Sequence, residues 1–306
     1  MSILKTQIDQ YLDYCRYQKR LDEKTLKAYR IDMAQFLTNT QCIAVEEITP
    51  ALLEDYFAGL HRSYKPKTVK RKIASLKALF HYFEFREIIE QNPFNKVRVR
   101  FREPVILPRT IPLRTVEIFL STIYQQHNTA GTDCQRNNTL RDMAVIELLF
   151  ATGMRISELC TLKVSDVNLY DRYILIYGKG SKERKILIGN DDVTRVLAAY
   201  KDTFGEKMLR CNHFFVNQFG RALSDQSVRR MINKYVSMAA IDQHITPHMF
   251  RHTFATSLLE ADVDIRYIQE MLGHSSINIT EVYTHVAMEK QRDILVSKHP
   301  RKNFRI

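Results

Sequence analysis

Cysteine is scarce in this sequence and unpaired. The five residues Cys15, Cys42, Cys134, Cys160 and Cys211 are odd in number, scattered, and nowhere arranged as C-x-x-C. That excludes a disulfide framework and a thiolate zinc site as organising devices. It points instead to a reducing cytoplasm, where cysteine serves as a small apolar residue. Long apolar runs are missing as well. The most apolar stretch, MAVIELLFATGM, is interrupted by Glu147 and falls far short of the ~20 residues a membrane span requires. No stretch reads as a signal peptide. Internal repeats and low-complexity tracts are absent. Acidic residues are outnumbered: 34 Asp plus Glu face 46 Lys plus Arg, a net charge of +12. Such a surplus favours a polyanionic partner, because each phosphate neutralised releases a condensed counterion. The remaining composition, 45% apolar and 26% charged, is that of an ordinary globular protein, and 306 residues allow two domains or one large one.

Residues 1–102 read as all-helical. Ile8, Tyr11 and Leu12 share one helical face, and Leu26, Tyr29, Met33, Phe36 and Leu37 form a second stripe. Thr49 and Pro50 mark a third helix start. KPKTVKRKIASLKALFHYF predicts a fourth helix with Val69, Ile73, Leu76, Phe80 and Phe83 inward. The stretch FREPVILPRTIP holds three prolines in twelve residues and cannot continue a helix, so a linker is placed at 103–111. The second domain, 112–306, is mixed. RDMAVIELLFATG reads as a buried helix stopped by Gly153. RYILIYGKGSKERKILIG reads as a β-hairpin, HFFV is a candidate short strand, and the chain is helical again from Ser224. The fold class is mainly α with a small β-sheet (α+β), in two domains.

Five places could carry chemistry. RSYKPKTVKRK gathers Arg62, Lys65, Lys67, Lys70, Arg71 and Lys72 without an acid, with Lys77 further along the same helix. With Val69, Ile73 and Leu76 buried, these bases are expected to project outward near the helix start, a geometry suited to DNA. In TPHMFRHTFATSLL, Thr246 is expected to cap and Pro247 to open a helix, so His248 and Arg251 share its first turn. That is either an anion site or a surface pair. Arg155 follows a helix-ending glycine, with Glu158 three residues on; the two are either a surface ion pair or a guanidinium with its orienting carboxylate. Lys179 lies in the glycine-flanked hairpin turn, which lacks nucleotide-binding P-loop spacing. It is a solvated turn residue unless the other motifs enlist it. His274 and Tyr283 follow in LGHSSINITEVYTHV.

The order Arg155, Lys179, His248-x-x-Arg251, His274, Tyr283 resembles the active site of the tyrosine recombinase (phage integrase) family, nearest its bacterial Xer-type branch. ATGMRISEL, GKGSKER, the run from Thr246 to Val286 and the terminal HPR carry the resemblance, which covers nearly the whole chain. Two features depart from that branch: the longer stretch YQQHNTAGTDCQRNNTLRD, and Glu281 where glutamine is common.

The resemblance implies a helical, SAM-like core-binding domain and a catalytic domain, together closing as a C-shaped clamp on double-stranded DNA at a specific site. It implies that Tyr283 attacks the scissile phosphate, leaving a 3′-phosphotyrosyl bond and a free 5′-hydroxyl. Arg155 and Arg251 would hold the non-bridging oxygens and His274 would donate to them. His248 would serve as base and Lys179 as acid, with Glu158 in support. No metal and no cofactor would be needed. A bacterial cytoplasmic, nucleoid-associated enzyme is expected, working as a homotetramer or paired dimers through a Holliday junction, with the C-terminal tail exchanged between subunits. No membrane partner is expected. A type IB topoisomerase and a catalytically silent DNA-binding regulator are the competing readings. His285 has no assigned role.

Overall fold

The computed structural model describes residues 3–98, 109–178, 183–273 and 292–304. The chain divides into two compact units, Met1–Ile106 and Leu107–Ile306. Of the described cysteines none is disulfide-bonded; Cys15, Cys42 and Cys160 are buried, whereas Cys134 is exposed.

The first unit is four helices: α1 (Ile3–Tyr17), α2 (Glu23–Thr40), α3 (Pro50–Ser63) and α4 (Pro66–Phe85). Their starts follow the sequence signals. Asp22 accepts the Thr25 N–H at 2.8 Å to cap α2, and Thr49 accepts the Leu52 N–H at 3.2 Å to cap α3. The anticipated inner face of α4, from Val69 to Phe83, packs on Leu4, Ile8, Phe36 and Leu53 in one apolar core.

One expectation fails here. Lys72 does not project outward; it is 2% exposed. Position 72 lies three residues after Val69 and four before Leu76, so helical geometry places it on the buried face. Its ammonium bonds Asp32 of α2 at 3.0 Å and Gln35, and sits 4.9 Å from the Tyr64 ring centre. Asp32, itself 1% exposed, also takes Ser75 Oγ at 3.1 Å and the Arg71 guanidinium. A buried carboxylate requires such saturation, because desolvating it unpaired costs several kcal/mol. Lys72 and Arg71 therefore tie α4 to α2.

The second unit is built around α6 (Asp133–Thr152), which is buried on nearly every side from Thr139 onward. Packed around it are α5 (Leu113–Asn128), α8 (Asp191–Cys211) and α10 (Pro247–Glu260). The long stretch 124–142 is not a loop. It extends α5, turns, and restarts as α6, where Thr132 accepts the Gln135 N–H at 3.2 Å and His127 Nδ1 lies 3.0 Å from Thr139 Oγ1.

The short helix α7 (Ile156–Thr161) leads into an antiparallel sheet of order β1-β2-β3. The hairpin strands β2 (Tyr173–Tyr177) and β3 (Glu183–Leu187) match expectation, with Ile176 opposite Arg184. β1 (Val167–Asn168) was not anticipated, being only two residues long. HFFV forms no strand; Val216 makes a single bridge to Ala222. The helices α9 (Asp225–Met238) and α11 (Ile265–Leu272) complete the unit. Thr246 occupies the cap position of α10, but its side chain makes no capping bond.

The described tail packs on its own unit rather than reaching outward. A helix spans 292–298, and Pro300–Asn303 forms a 3₁₀ turn. Leu295 is 2% exposed and presses so closely on Gly189 that a Cβ there would stand 2.7 Å from it. Arg301 is the anchor. Its Nε and Nη2 donate to Glu147 of α6 at 2.9–3.1 Å, and Tyr124 of α5 donates to the same carboxylate at 2.7 Å. His299 completes the seat: its Nδ1 accepts the Arg301 N–H at 3.0 Å, so Nε2 is the nitrogen that donates to the Phe150 carbonyl at 3.1 Å. The described tail residues are thus bonded to α5 and α6 of the same chain.

Burial pushes the His299 pKa from 6.5 down to about 4, with Arg301 acting in the same direction and the Phe150 bond opposing. The ring is neutral in the fold and charges only with loss of its seat. The unfolded chain therefore binds the proton first, and stability rises with pH across the window between those two values. Urea unfolding should lose about 3 kcal/mol of stability from this residue between pH 7 and pH 4. His299→Gln should flatten that slope; identical pH dependence in both proteins would refute the account.

Candidate active site

The C-terminal ends of two helices converge on one guanidinium. Helix α6 closes with Gly153 and α11 with Gly273, both in the left-handed region (φ 59° and 64°). Their last carbonyls have no intrahelical partner. Arg251, on α10 and 6% exposed, donates from Nη1 to the Gly153 carbonyl at 2.9 Å and from Nη2 to the Leu272 carbonyl at 2.6 Å. Among the described residues these are its hydrogen-bond acceptors, which leaves three of its N–H groups for a ligand. Phe250, Phe254 and Leu258, all fully buried, hold α10 in place. Burial pulls the Arg251 guanidinium down to about 10, and the neighbouring charges of Arg155 and Arg184 act the same way against Glu158. It remains cationic at neutral pH.

Arg155 stands at the start of α7, beside this cluster. Its backbone N–H donates to Glu158 Oε2 at 2.8 Å and its Nη1 to Glu158 Oε1 at 2.8 Å. Glu158 thus caps the helix and fixes the guanidinium of the residue before it. Its carboxylate is also the acceptor for Arg184 of β3, at 3.0 Å and 2.7 Å. Burial pushes the Glu158 carboxyl up, but the bonds from Arg184 and the Arg155 N–H outweigh it, and the net shift is downward.

His248 opens α10 one turn before Arg251 and is the exposed member of the pair. Its pKa is lowered, first by desolvation of the ring, then by the positive charges of Arg229, His252, Arg251 and Arg155. The imidazole is neutral at pH 7 and free to accept a proton. Of the residues singled out in the sequence, Arg155, Glu158, His248 and Arg251 are therefore brought together; Lys179, His274 and Tyr283 lie outside the described residues. Arg62, Lys65, Lys67, Lys70, Arg71 and Lys77 are exposed on the first unit, Arg71 while pairing with Asp32, whereas Lys72 is not.

Arg184 and Arg229 escaped the sequence reading. Arg184 had a signal: it sits two residues before Ile186, which is fully buried, so strand alternation turns both toward the interior. A charge on that face must have a partner. Arg229 lies on α9, one residue past the buried Val228, and only its nearness to His248 marks it.

Two guanidinium groups sharing one carboxylate, with Arg251 and His248 beside them, form a receptor for an oxyanion that carries more than one acceptor oxygen. On a mainly helical unit with a three-stranded sheet, such a cluster defines a class of sites suited to oxyanions, phosphodiesters among them.

The comparisons narrow this class. A profile of the phage integrase family matches residues 120–290, and a profile of the phage integrase N-terminal SAM-like domain matches residues 8–87. A tyrosine recombinase of Agathobacter rectalis is 64% identical over 304 residues, 99% of each chain. Tyrosine recombinase XerC of Bacillus subtilis is 31% identical, with 98% of each chain covered. The crystal structure of XerH site-specific recombinase bound to palindromic difH, in a post-cleavage complex, superposes with a TM-score of 0.71 at 22% identity, over 94% of this chain and 83% of that one; it bears on the fold. The chain belongs to the phage integrase family, the tyrosine recombinases.

The electrostatic setting of His248 is open to measurement in the DNA-free protein. Its ring should titrate below 6.5 by NMR, and Arg229→Ala should raise that midpoint. An unmoved midpoint would separate Arg229 from the site.

Proposed function

We propose that this protein recombines DNA at a specific site, using the cluster around Arg251 to hold the scissile phosphate and Tyr283 to open it. The observation that carries the reading is the pair of guanidinium groups, Arg155 and Arg251, fixed by Glu158 and by two helix-end carbonyls. A phosphodiester under attack gathers charge on its non-bridging oxygens. Donors already oriented there need no reorganisation as the charge grows.

In this mechanism the Tyr283 oxygen forms a bond to phosphorus while the bond from phosphorus to the 5′-oxygen breaks. The phenol proton passes to a base, His248, whose neutral ring suits that role. The departing 5′-oxygen takes a proton from Lys179. His274 adds a further hydrogen bond to the phosphate. The 3′-phosphotyrosyl bond conserves the energy of the phosphodiester, so a 5′-hydroxyl from the partner strand can reverse the step without ATP. Four protomers assemble on paired sites and pass through a Holliday junction; a lambda integrase tetramer of similar fold is solved bound to a Holliday junction.

Residues 1–102 serve as the core-binding domain and 112–306 as the catalytic domain. Arg62, Lys65, Lys67, Lys70, Arg71 and Lys77 contact the DNA backbone, Arg71 while also paired with Asp32. Lys72 is withdrawn from that set, because its ammonium is spent on Asp32. The enzyme acts in the bacterial cytoplasm; no described helix is long and apolar enough to cross a membrane.

The decisive experiment incubates the protein with a nicked duplex library of randomised sequence and recovers covalently attached DNA. Wild type should yield adducts of an enriched sequence, with the phosphate on tyrosine. Tyr283→Phe should bind that sequence and yield none; an adduct from the variant would remove the nucleophile assignment. Titrations of the same duplex separate the two kinds of lysine. Lys67→Ala and Lys70→Ala should each reduce the slope of log affinity against log salt by roughly 1 while leaving folding intact. Lys72→Ala should instead lower the stability of the first unit by about 3–5 kcal/mol. A Lys72→Ala protein as stable as wild type would contradict that division.

A further inference from the structure

We infer that Arg184 is a positioning residue that keeps Arg155 available to the scissile phosphate by sharing the charge of Glu158. The inference rests on the assignment of Arg155 to that phosphate.

The geometry is specific. Glu158 Oε1 receives Arg155 Nη1 at 2.8 Å and Arg184 Nη1 at 3.0 Å. Glu158 Oε2 receives the Arg155 backbone N–H at 2.8 Å and Arg184 Nη2 at 2.7 Å. All four lone-pair positions of the carboxylate are filled. Arg184 turns its third edge inward as well, with Nε on the Met271 carbonyl at 2.9 Å. Its side chain is 11% exposed, against 36% for Arg155. All three nitrogens of Arg184 thus donate to protein, and Arg155 is the more exposed guanidinium of the two.

The charges explain why two arginines are needed for one acid. Glu158 is required where it stands, because it caps α7 and orients Arg155. Alone with Arg155 it would form a neutral bidentate pair, turning a second edge of the guanidinium toward the carboxylate and cancelling its attraction for a phosphate. Arg184 occupies the second edge of the carboxylate instead. One negative charge is then divided between two cations, and the trio keeps a net positive charge on the residue that remains exposed.

The same side chain also locks the neighbouring backbone. Gly273 lies directly over the Arg184 guanidinium; a Cβ at that position would stand 3.0 Å from its Cδ and Nη1. Arg184 holds the Met271 carbonyl and Arg251 the Leu272 carbonyl, so consecutive residues of the α11 end are fixed by two guanidinium groups. β3, the start of α7 and the end of α11 meet at Arg184.

A neutral phosphate tests the charge argument. The probe is the duplex enriched by wild-type protein from the randomised library, prepared with a native scissile phosphate or with an uncharged methylphosphonate in its place. Adduct formation is followed in a single turnover. On the native phosphate, Arg184→Ala should be slower than wild type by about 10- to 100-fold. On the methylphosphonate, where no charge needs neutralising, the two should agree within about 3-fold. Each protein is compared with itself on the two substrates, so a reduced folded fraction cancels. Adding Glu158→Gln to Arg184→Ala should recover part of the lost rate, since it removes the charge that Arg184 offsets. The proposal is overturned by an unchanged rate on the native phosphate, by equal slowing on both substrates, or by a double variant slower than Arg184→Ala. If wild type itself enriches no duplex, the recombinase assignment beneath the proposal is what has failed.

Discussion

A guanidinium bound to the ends of two helices is the constraint around which the second unit is arranged. Helix C-termini carry unpaired carbonyls and the negative end of the helix dipole. Arg251 satisfies one carbonyl from α6 and one from α11, and so fixes the distance between them. Both helices stop on a glycine in the left-handed region, which turns the chain sharply away and leaves the carbonyls accessible. The residues that follow those glycines include Met154 and Arg155 on one side and His274 on the other. The packing of one buried side chain thereby fixes where the two helices end, with Arg155 close by one of them.

α6 also carries the second buried charge. Glu147, fully buried in the middle of this helix, binds Arg301 from the tail and Tyr124 from α5. Removing either partner of such a pair strands a charge in the interior, at a cost of several kcal/mol. The interaction makes the end of the chain part of the core. α6 is consequently joined to Arg251 through Gly153 and to the tail through Glu147, less than two turns apart.

Much of this was legible in the sequence, for identifiable reasons. The helices of the first unit announced themselves through apolar spacing and, for α3, through Thr49 and Pro50 at its start. The hairpin followed from two apolar runs flanking glycines. Glu158 was legible as the orienting partner of Arg155 because the spacing of three is local. What escaped depends on long-range pairing. Lys72 looked like its exposed neighbours because its partner, Asp32, is forty residues away on another helix. Arg184 was hidden among the bases of GKGSKERKI, although its place in the strand alternation marked it as inward-facing. The seat of His299 and Arg301 lies about 150 residues from their partners, beyond any local pattern. β1 and the failed capping by Thr246 are small misses of the same kind, where tertiary packing decides.

The crowding of Arg155, Arg184 and Arg251 around one carboxylate has a consequence outside catalysis. Like charges held at close range repel, and the fold maintains them against that repulsion. An anion that enters the cluster relieves it and binds only the native state, so it raises apparent stability by mass action. The protein without DNA is consequently a sensor of its solvent. Sulfate and phosphate offer several acceptor oxygens to such a cluster, and chloride alone leaves the repulsion less compensated. The stability of the free enzyme is thus a joint property of the chain and the anion that accompanies it.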